Sequence, residues 1–564
     1  MTTMQNRSKH RPTYTLMIRD WHRLACYGWL FLWALPCTVA AFEVVPHPDS
    51  GVFGTAPGDA PATPARPAAP PDRFDVFEYV VEGNTALSRD RVEEVVYPFL
   101  GEQKTVADVE LARAALEKAY QSAGYLTVFV NLPEQKIQGG AVRLQVAEGR
   151  VDRLRVSGSR YYALGAIKAT VPALEEGSVP NFNDVQKELA DVNRNPGRRV
   201  TPLLRAGRIP GTVEAELKVD DQLPLHASVE VNDRYSRDTT KTRLSAAVRY
   251  DNLWQAGHSL NLNLQVAPEN TAESKVLVAT YVAPLASGNT LAGYAVVSDT
   301  DVSTIGGIDS LGKGTILGLR YVLPLRARPG LTHSVTLGAD YKDYKDTQRF
   351  LGQDNNLPIT YLPFTLGYDL NLDGAQSQTR IGLSTVFSLR GVVSDEAEFA
   401  AKRNGGSASF IYFKTDLRHT QTLPGGMSLV GNLSAQLTDQ ALISNEEMAA
   451  GGADSVRGYP ESAALGDRGW RAGLELHSPS LTGASTPVLN DLYLLGFVEG
   501  ARLYYLDASA LQQSQFDLAS TGLGLRFRAG KIFSGGLDYA HALKSAGGVL
   551  SGDNRIHFRL GAEW

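Results

Sequence analysis

The last 340 residues (225–564) repeatedly alternate apolar and polar side chains with a period of two. Over 260–266, leucine or valine fills every even position, and asparagine or glutamine fills every odd one. The same alternation recurs over 429–437 and 470–477, where the polar face includes charged groups. A period of two predicts strands with one apolar and one polar face. About sixteen such segments fit into this region, which is therefore predicted to form one large β structure.

A charged polar face leaves two architectures open. A soluble sandwich would pack the apolar face on a second sheet, whereas a membrane barrel would turn it towards lipid and satisfy every backbone group by closure. Aromatic residues lie near the predicted strand ends, where interface girdles are expected: Tyr250, Trp254, Tyr281, Tyr294, Tyr321, Tyr341 and Tyr361. We therefore predict a mainly β fold whose 223–564 region is a 16-stranded antiparallel transmembrane β-barrel.

The final strand carries the sharpest local signal for a barrel. Phe558, Leu560 and the terminal Trp564 share one face with Ile556 and Ala562. An alternating strand that ends the chain on an aromatic residue resembles the assembly signal of bacterial outer-membrane barrels. The resemblance implies outer-membrane lipid as the surroundings and the barrel-assembly machinery as a partner.

The first 73 residues are predicted to lie outside the folded part. Basic residues come first, an apolar run follows at 24–35, and small residues follow at 39–41. This is the order of a cleavable signal peptide, which we predict over 1–41. Both cysteines fall within it, so the remainder has neither a disulfide nor a cysteine metal site. Residues 42–73 form a Pro/Ala-rich linker, and a short plug there is left open.

Residues 74–149 and 150–222 repeat one order of elements. In the first unit, Thr105 and Asp108 form a predicted capping box for a helix that Gly124 ends. Strands are predicted before this helix and twice after it, and the second unit follows the same plan. The economical interpretation is two compact β-α-α-β-β modules in front of the barrel.

One loop, 439–468, falls between the eleventh and twelfth predicted strands and carries Ser455, Val456, Arg457, Gly458 and Tyr459. With its flanking Glu446, Glu447, Gly451, Gly452, Glu461, Gly466 and Asp467, it resembles the outer-membrane transporters of two-partner secretion, the haemolysin secretion/activation family. Glu82-Gly83-Asn84-Thr85 and Glu148-Gly149-Arg150-Val151 look like signatures of polypeptide-transport-associated (POTRA) modules. Asn193, 196–200, Gly207 and Gly211 resemble the second module, although Ala206 stands where proline is usual.

The resemblance implies a pore that secretes a large partner exoprotein from periplasm to cell surface. POTRA modules in the periplasm would capture the unfolded partner through its amino-terminal secretion domain. The Arg457 loop would fold into the lumen against the thirteenth strand, where Phe497, Glu499 and Gly500 resemble the family's wall element. Arg457 needs an acidic partner there, and Glu499 is the candidate. Phe497, Leu495 and Tyr493 would seat Val456 and Tyr459.

Other functions have weaker support. The chain has 55 basic and 60 acidic residues, net charge −5, and no basic block in the mature chain, which argues against nucleic acid. The loop 307–315 resembles a phosphate-binding loop, but Gly314 replaces the required hydroxyl, so no nucleotide is expected. No catalytic or metal-binding pattern is found, so we expect no enzyme and no cofactor. A barrel-assembly factor and a passive porin are the alternatives.

Overall fold

The computed structural model describes residues 73–137, 139–193, 195, 197–237, 239–300, 312–350, 353–482, 488–510 and 512–564. The predicted signal peptide and almost all of the predicted linker lie outside the described residues. So does the 307–311 part of the loop that resembles a phosphate-binding loop. Within the described ranges, no helix has the length and apolar character needed to cross a membrane.

Residues 74–148 form a small module, module 1, with a three-stranded sheet in the order β2-β5-β4. Its elements are β1 (Phe74–Val76), β2 (Glu78–Glu82), α1 (Arg89–Val96), a 3₁₀ turn (Tyr97–Phe99), β3 (Gly101–Lys104), α2 (Val106–Ser122), β4 (Val128–Asn131) and β5 (Ala141–Glu148). The predicted capping box is confirmed, because Thr105 and Asp108 exchange side-chain to backbone hydrogen bonds. The separate β1–β3 pair was not predicted from the sequence.

Residues 150–221 form module 2, with the sheet order β6-β8-β7. Its elements are β6 (Arg150–Ser157), α3 (Leu164–Ala169), a 3₁₀ turn (Pro172–Leu174), α4 (Phe182–Val192), β7 (Arg198–Ala206) and β8 (Thr212–Asp221). Leu154, Ile167 and Leu217 belong to one buried core between helices and sheet. In both modules a parallel pair of strands brackets the helices, as right-handed packing of a helix on a sheet favours.

The remaining strands close into an antiparallel barrel in which β27 pairs with β9. They are β9 (Leu225–Asn232), β10 (Arg243–Leu253), β11 (His258–Val266), β12 (Ser274–Pro284), β13 (Thr290–Thr300), β14 (Gly314–Pro324), β15 (Leu331–Phe350), β16 (Gln353–Tyr361), β17 (Pro363–Asp373), β18 (Ser377–Ser388), β19 (Ile411–Thr422), β20 (Ser428–Leu437), β23 (Arg468–His477), β24 (Leu489–Tyr504), β25 (Gln515–Ala529), β26 (Phe533–Ala542) and β27 (Asn554–Glu563). Four elements lie in connections outside this wall: α5 (Glu396–Lys402), a 3₁₀ turn (Pro424–Gly426), β21 (Met448–Ala450) and β22 (Ala464–Gly466).

The wall has the predicted sixteen strands although seventeen segments are present. β16 and β17 both pair with β15, one after the other, so they occupy a single position around the barrel. They are separated by Leu362, and Pro363, which has no backbone N–H, begins the second segment. The two segments therefore form one interrupted strand.

The alternation in the sequence becomes the two faces of this wall. Leu262 and Leu264 are 44% and 45% exposed on the outside, whereas Gln265 on the inner face is 5% exposed. On β23, Trp470, Leu474 and Leu476 are likewise exposed, and the polar residues between them point inwards. An apolar exterior around a polar interior is the arrangement of a barrel surrounded by lipid.

Module 2 contacts the turn between β10 and β11, and this contact shows which end of the barrel lies next to the modules. Asn252 Nδ2 donates to the Tyr161 carbonyl at 3.3 Å, and Gln255 Nε2 donates to the same oxygen at 3.2 Å. The Ala163 amide in turn donates to Gln255 Oε1 at 2.9 Å. This turn joins the second and third strands of the wall. Connections from even to odd strands therefore lie at the module end, and the others lie at the opposite end.

The module 2 loop that makes these contacts is organised by Asp221. Its carboxylate accepts hydrogen bonds from the amides of Arg160 and Tyr161, at 2.9 Å each, and from Ser159 Oγ at 3.0 Å. Burial would raise the pKa of Asp221, but the hydrogen bonds from the Tyr161 and Arg160 amides and from Ser159 outweigh it and hold the pKa below its ordinary value.

We expect Asp221→Asn to destabilise module 2 by about 2 kcal/mol, because an ionised acceptor of several hydrogen bonds is lost. At neutral pH, trypsin should cut the variant after Arg160 faster than the wild type. A lowered pKa means that the stabilisation is present above the ordinary carboxyl range and disappears as the pH falls through the folded pKa. The difference between the two proteins should therefore shrink in acid. Asp220→Asn, an exposed neighbour, is the matched control.

Candidate functional site

The connection 438–467 between β20 and β23 folds into the barrel as a hairpin. β21 and β22 pair to form its stem, and most side chains beyond the stem are buried. The hairpin enters beside Arg468 at the end opposite the modules, yet Arg457 contacts Glu475, seven positions further along β23. At about 3.3 Å per residue, this places the arginine about 23 Å along the strand.

Arg457 is held by the wall of the barrel. Its amide donates to Glu499 Oε2 at 2.7 Å and its Nε donates to Glu499 Oε1 at 2.9 Å. Nη2 contacts the carboxylates of both Glu475 and Glu499. The guanidinium also lies over the ring of Phe497, 3.5 Å from its centroid. The structure thus brings together Arg457, Glu499 and Phe497, three residues that the sequence singled out, with the arginine 2% exposed.

Two further acids at this site were missed by reasoning from the sequence. Glu475 belongs to the inward polar face of β23, and Asp538 lies with one oxygen 3.6 Å from Arg457 Nη1. Asp538 is also held by Arg526 through two hydrogen bonds of 2.7 and 2.8 Å. Period-two alternation indicates that both acids face inwards, but it does not indicate which strands meet the loop. We name Arg457, Glu475, Glu499, Asp538 and Phe497 the arginine seat.

Small residues beside Glu499 leave room for the loop. In the sheet register, Glu499 lies between Gly473 of β23 and Ser520 of β25. A Cβ atom on Gly473 would come within 3.3 Å of Glu499 Cγ. Larger neighbours would compete with Arg457 for the space in front of the carboxylate. The small residues Gly473 and Ser520 in the wall thus leave the space that Arg457 of the loop occupies.

The two residues after Arg457 are also anchored. The Gly458 amide donates to His557 Nε2 at 3.0 Å, and the φ of +94° at this position favours glycine. Tyr459 is fully buried, and its hydroxyl, a single donor, lies within hydrogen-bond distance of the carbonyls of Lys544 at 2.6 Å and Ala519 at 3.0 Å. At the start of the motif, Ser455 Oγ accepts a hydrogen bond from the Gly451 amide.

The apolar seat of the loop differs from the prediction. Val456 and Tyr459 pack with Ala501, Leu503 and Leu518 in one cluster, whereas Phe497 and Leu495 form another with Ala540, against which Tyr493 packs. The prediction had the correct face of β24, but it placed the contact at least four residues too close to the modules. The ring of Phe497 instead packs against the guanidinium of Arg457.

Gly500 and the terminal residues lie on the outer side of the wall. Gly500 alternates with the inward Glu499 and Ala501, so it is not on the face that meets the loop, in contrast to the prediction. Phe558, Leu560 and Trp564 are 40%, 52% and 58% exposed on the outside. Their role as an assembly signal stays a prediction.

The base of the loop has a second anchor, which we name the base cluster. Glu446 accepts hydrogen bonds from Lys342 Nζ and the Tyr361 hydroxyl, both at 2.5 Å, and from the Tyr412 hydroxyl at 2.6 Å. Arg403, which follows α5 in the connection 389–410, contacts Glu447 and donates to Asp467 Oδ2 at 2.8 Å. The side chains of Glu447, Arg403 and Asp467 are all at most 5% exposed.

Arg403 was missed because it comes from a different connection. Its guanidinium also lies 3.5 Å from the centroid of the Tyr505 ring and donates to the Leu506 carbonyl at 2.8 Å. Phe399 of α5 packs edge-on against Tyr361, so α5 is itself fixed to the inner face of the wall. A single arginine thus joins three connections of the outer end: its own, the hairpin, and the connection after β24.

The two predicted module signatures contact each other. Glu148 accepts hydrogen bonds from the amides of Thr85 and Ala86, at 2.6 and 2.8 Å, and Arg150 donates to Thr85 Oγ1 at 2.6 Å. Within the first signature, Asn84 accepts from the Tyr120 hydroxyl at 2.5 Å. Glu82-Gly83 therefore forms the turn that ends β2, and Glu148-Gly149 forms the link from β5 of module 1 to β6 of module 2.

A closed 16-stranded barrel with an apolar exterior, small α/β modules at one end and an arginine hairpin folded in from the other define an outer-membrane polypeptide transporter. Residues 211–527 match the family Haemolysin secretion/activation protein ShlB/FhaC/HecB, and residues 74–149 match the POTRA domain, ShlB-type. The first match covers more than half of the chain, so this protein belongs to that family. It is an outer-membrane transporter that secretes partner proteins, and it is not an enzyme.

Known relatives and a solved structure are similar over most of their length. The chain is 25% identical over 460 residues to the heme/hemopexin transporter protein HuxB of Haemophilus influenzae (strain 86-028NP), covering 79% of each chain. It is 26% identical over 408 residues to the outer membrane transporter CdiB of Dickeya dadantii (strain 3937), covering 68% of each. The solved structure of CdiB from Escherichia coli shares the fold, with a TM-score of 0.59, 18% identity, and coverage of 90% of this chain and 93% of that one.

Proposed function

We propose that modules 1 and 2 are two POTRA domains in the periplasm that capture the amino-terminal secretion domain of an unfolded exoprotein. The chain then threads through the lumen past the Arg457 hairpin to the cell surface. The observation that carries this proposal is the hairpin itself, which reaches from the outer end to the arginine seat inside the barrel. A loop anchored inside the pore lies on the path that a secreted chain follows.

An extended client can bind a module by adding a strand to an exposed sheet edge, because main-chain hydrogen bonds supply affinity without demanding a sequence. Two sheets of three strands have four edges. Module 1 ends in β2 and β4, and module 2 ends in β6 and β7. Whether an edge can accept a client depends on whether its outward backbone groups already have partners.

Three of the four edges are partly covered by the protein itself. On β4, the Val130 amide donates to Glu117 and its carbonyl accepts from Arg113, at 3.2 and 3.1 Å. On β7, both backbone groups of Val200 bind the Asn193 amide side chain, at 2.7 and 2.9 Å. On β6, both backbone groups of Val151 bind the segment 177–178. Asn193, one of the residues that resemble the second POTRA module of the family, thus covers part of the β7 edge.

The fourth edge, the outer side of β2, is open. The Glu78 amide donates to the Gly140 carbonyl, so Glu78, Val80 and Glu82 turn their backbone groups towards β5. Alternation then leaves the backbone groups of Tyr79 and Val81 on the outer side, and within the described part of the chain no partner is found for them. This edge of module 1 is where we propose that the client adds a strand.

The proposal is tested with Val81→Pro, which removes the outward N–H while proline remains tolerated on an edge strand. We expect binding of the client's secretion domain to weaken about tenfold, the effect of losing about 1.4 kcal/mol. The client is first identified in the neighbouring reading frames as a large β-helical exoprotein. Val81→Ala, which shortens the side chain but keeps the N–H, is the control. Equal binding by both variants would exclude the β2 edge.

A further inference from the structure

A cavity of about 490 Å³ lies in the lumen beside the arginine seat. Seven arginines and five acidic residues line it, an excess of two positive charges. The acids Glu475, Glu499 and Asp538 are engaged by the seat arginine Arg457. The protein as a whole has a net charge of −5, so this local excess runs against the overall balance.

Three of these arginines are free of acidic partners among the described residues: Arg380, Arg418 and Arg559. Arg380 of β18 stands directly opposite Arg418 of β19 in the sheet register. Their side-chain hydrogen bonds go to neutral groups, Gln378 and Asn432, both at 3.4 Å. Both side chains are exposed to the lumen. Asp416, two residues from Arg418, instead accepts a hydrogen bond from Ser434 Oγ at 2.6 Å.

Like charges directly opposite each other on neighbouring strands are destabilising. A guanidinium stays charged at any physiological pH, so the pair cannot relieve the repulsion by losing a proton. An anion between the two groups removes the cost, and a guanidinium matches a carboxylate through two parallel hydrogen bonds. Rings of arginine or lysine in a pore also favour anions over cations.

We propose that the cavity is an anion site on the wall of the pore, formed by Arg380, Arg418 and Arg559, which takes small anions such as chloride and the carboxylate side chains of an extended peptide. The site goes beyond secretion, because it gives the pore an ion preference even when no client is present. It also provides a series of weak contacts for acidic side chains in the lumen.

The first test is the reversal potential of the purified full chain in planar lipid bilayers under a KCl gradient. We expect a potential of the sign that marks chloride as the more permeant ion, and we expect Arg380→Gln with Arg418→Gln to move it towards zero or past it. The control is Arg326→Gln with Arg328→Gln, which removes two exposed charges from the turn after β14. A cation-selective wild type, or an unchanged double variant, would overturn the proposal.

The second test does not require an open channel. Pentaglutamate is titrated into the detergent-solubilised full chain, with pentaglutamine as the neutral comparison. Removing two water-exposed charge contacts should weaken pentaglutamate binding about fivefold, and added salt should weaken it further. Equal affinity of the wild type and the Arg380→Gln, Arg418→Gln variant would overturn the carboxylate part of the site.

Discussion

Arg457→Ala is expected to leave the barrel folded and inserted while reducing export of the client at least about tenfold. Removal of one partner from a buried ion pair costs about 3–5 kcal/mol, because the opposite charges remain without compensation. Glu499, Glu475 and Asp538 would then repel one another, and the hairpin tip would leave its seat. Sixteen strands remain paired without it, so the loss is local. Secretion of the client and heat-modifiable migration of the barrel in gels are the two measurements.

A conservative change separates charge from geometry. Arg457→Lys keeps the positive charge but loses the planar fork that binds Glu499 and stacks on Phe497, so export should recover only in part. Combining Arg457→Glu with Glu499→Arg tests the direct pair, and partial recovery over either single change is expected. Normal export by Arg457→Ala would remove the hairpin tip from the mechanism.

Arg403→Met is expected to have the second largest effect. The change leaves Glu447 and Asp467 as buried acids without their arginine partner, which destabilises this part of the structure by about 3–5 kcal/mol. Because Arg403 is the group that joins the connection 389–410 to the hairpin base, both should loosen together. We expect stronger entry of large antibiotics through the barrel, faster proteolysis within 438–467 from outside, and reduced export.

The matched control is Arg390→Met, an exposed arginine of the same connection whose backbone amide, not its side chain, donates to Ser409 Oγ. Replacing Glu447 by glutamine in the Arg403→Met background removes one stranded charge and should restore part of the protease resistance. Absence of any difference between Arg403→Met and Arg390→Met would show that the base cluster does not hold the hairpin.

The features that could be predicted from the sequence are those set by local periodicity. Alternation assigned Glu499 and Phe497 to the inner face of their strand, and the Thr105 capping box depends on residues three apart. The partners that were missed, Glu475, Asp538 and Arg403, depend on how strands and connections far apart in sequence meet around a staggered barrel. The same stagger explains why Val456 and Tyr459 pack beside Leu503 instead of Phe497. Alternation with a period of two assigns a side chain to one face of the wall, but it does not give the position of that side chain along the barrel axis.

The covered edges of the modules have a consequence for traffic through the periplasm. Because β4, β6 and β7 are each partly occupied by the protein's own groups, β2 is the edge of the two three-stranded sheets that we propose for docking. On the proposed function, one client at a time adds a strand to the β2 edge of a transporter. The groups bound to β4, β6 and β7 would also hinder edge-to-edge pairing between the modules of neighbouring transporters in a crowded membrane.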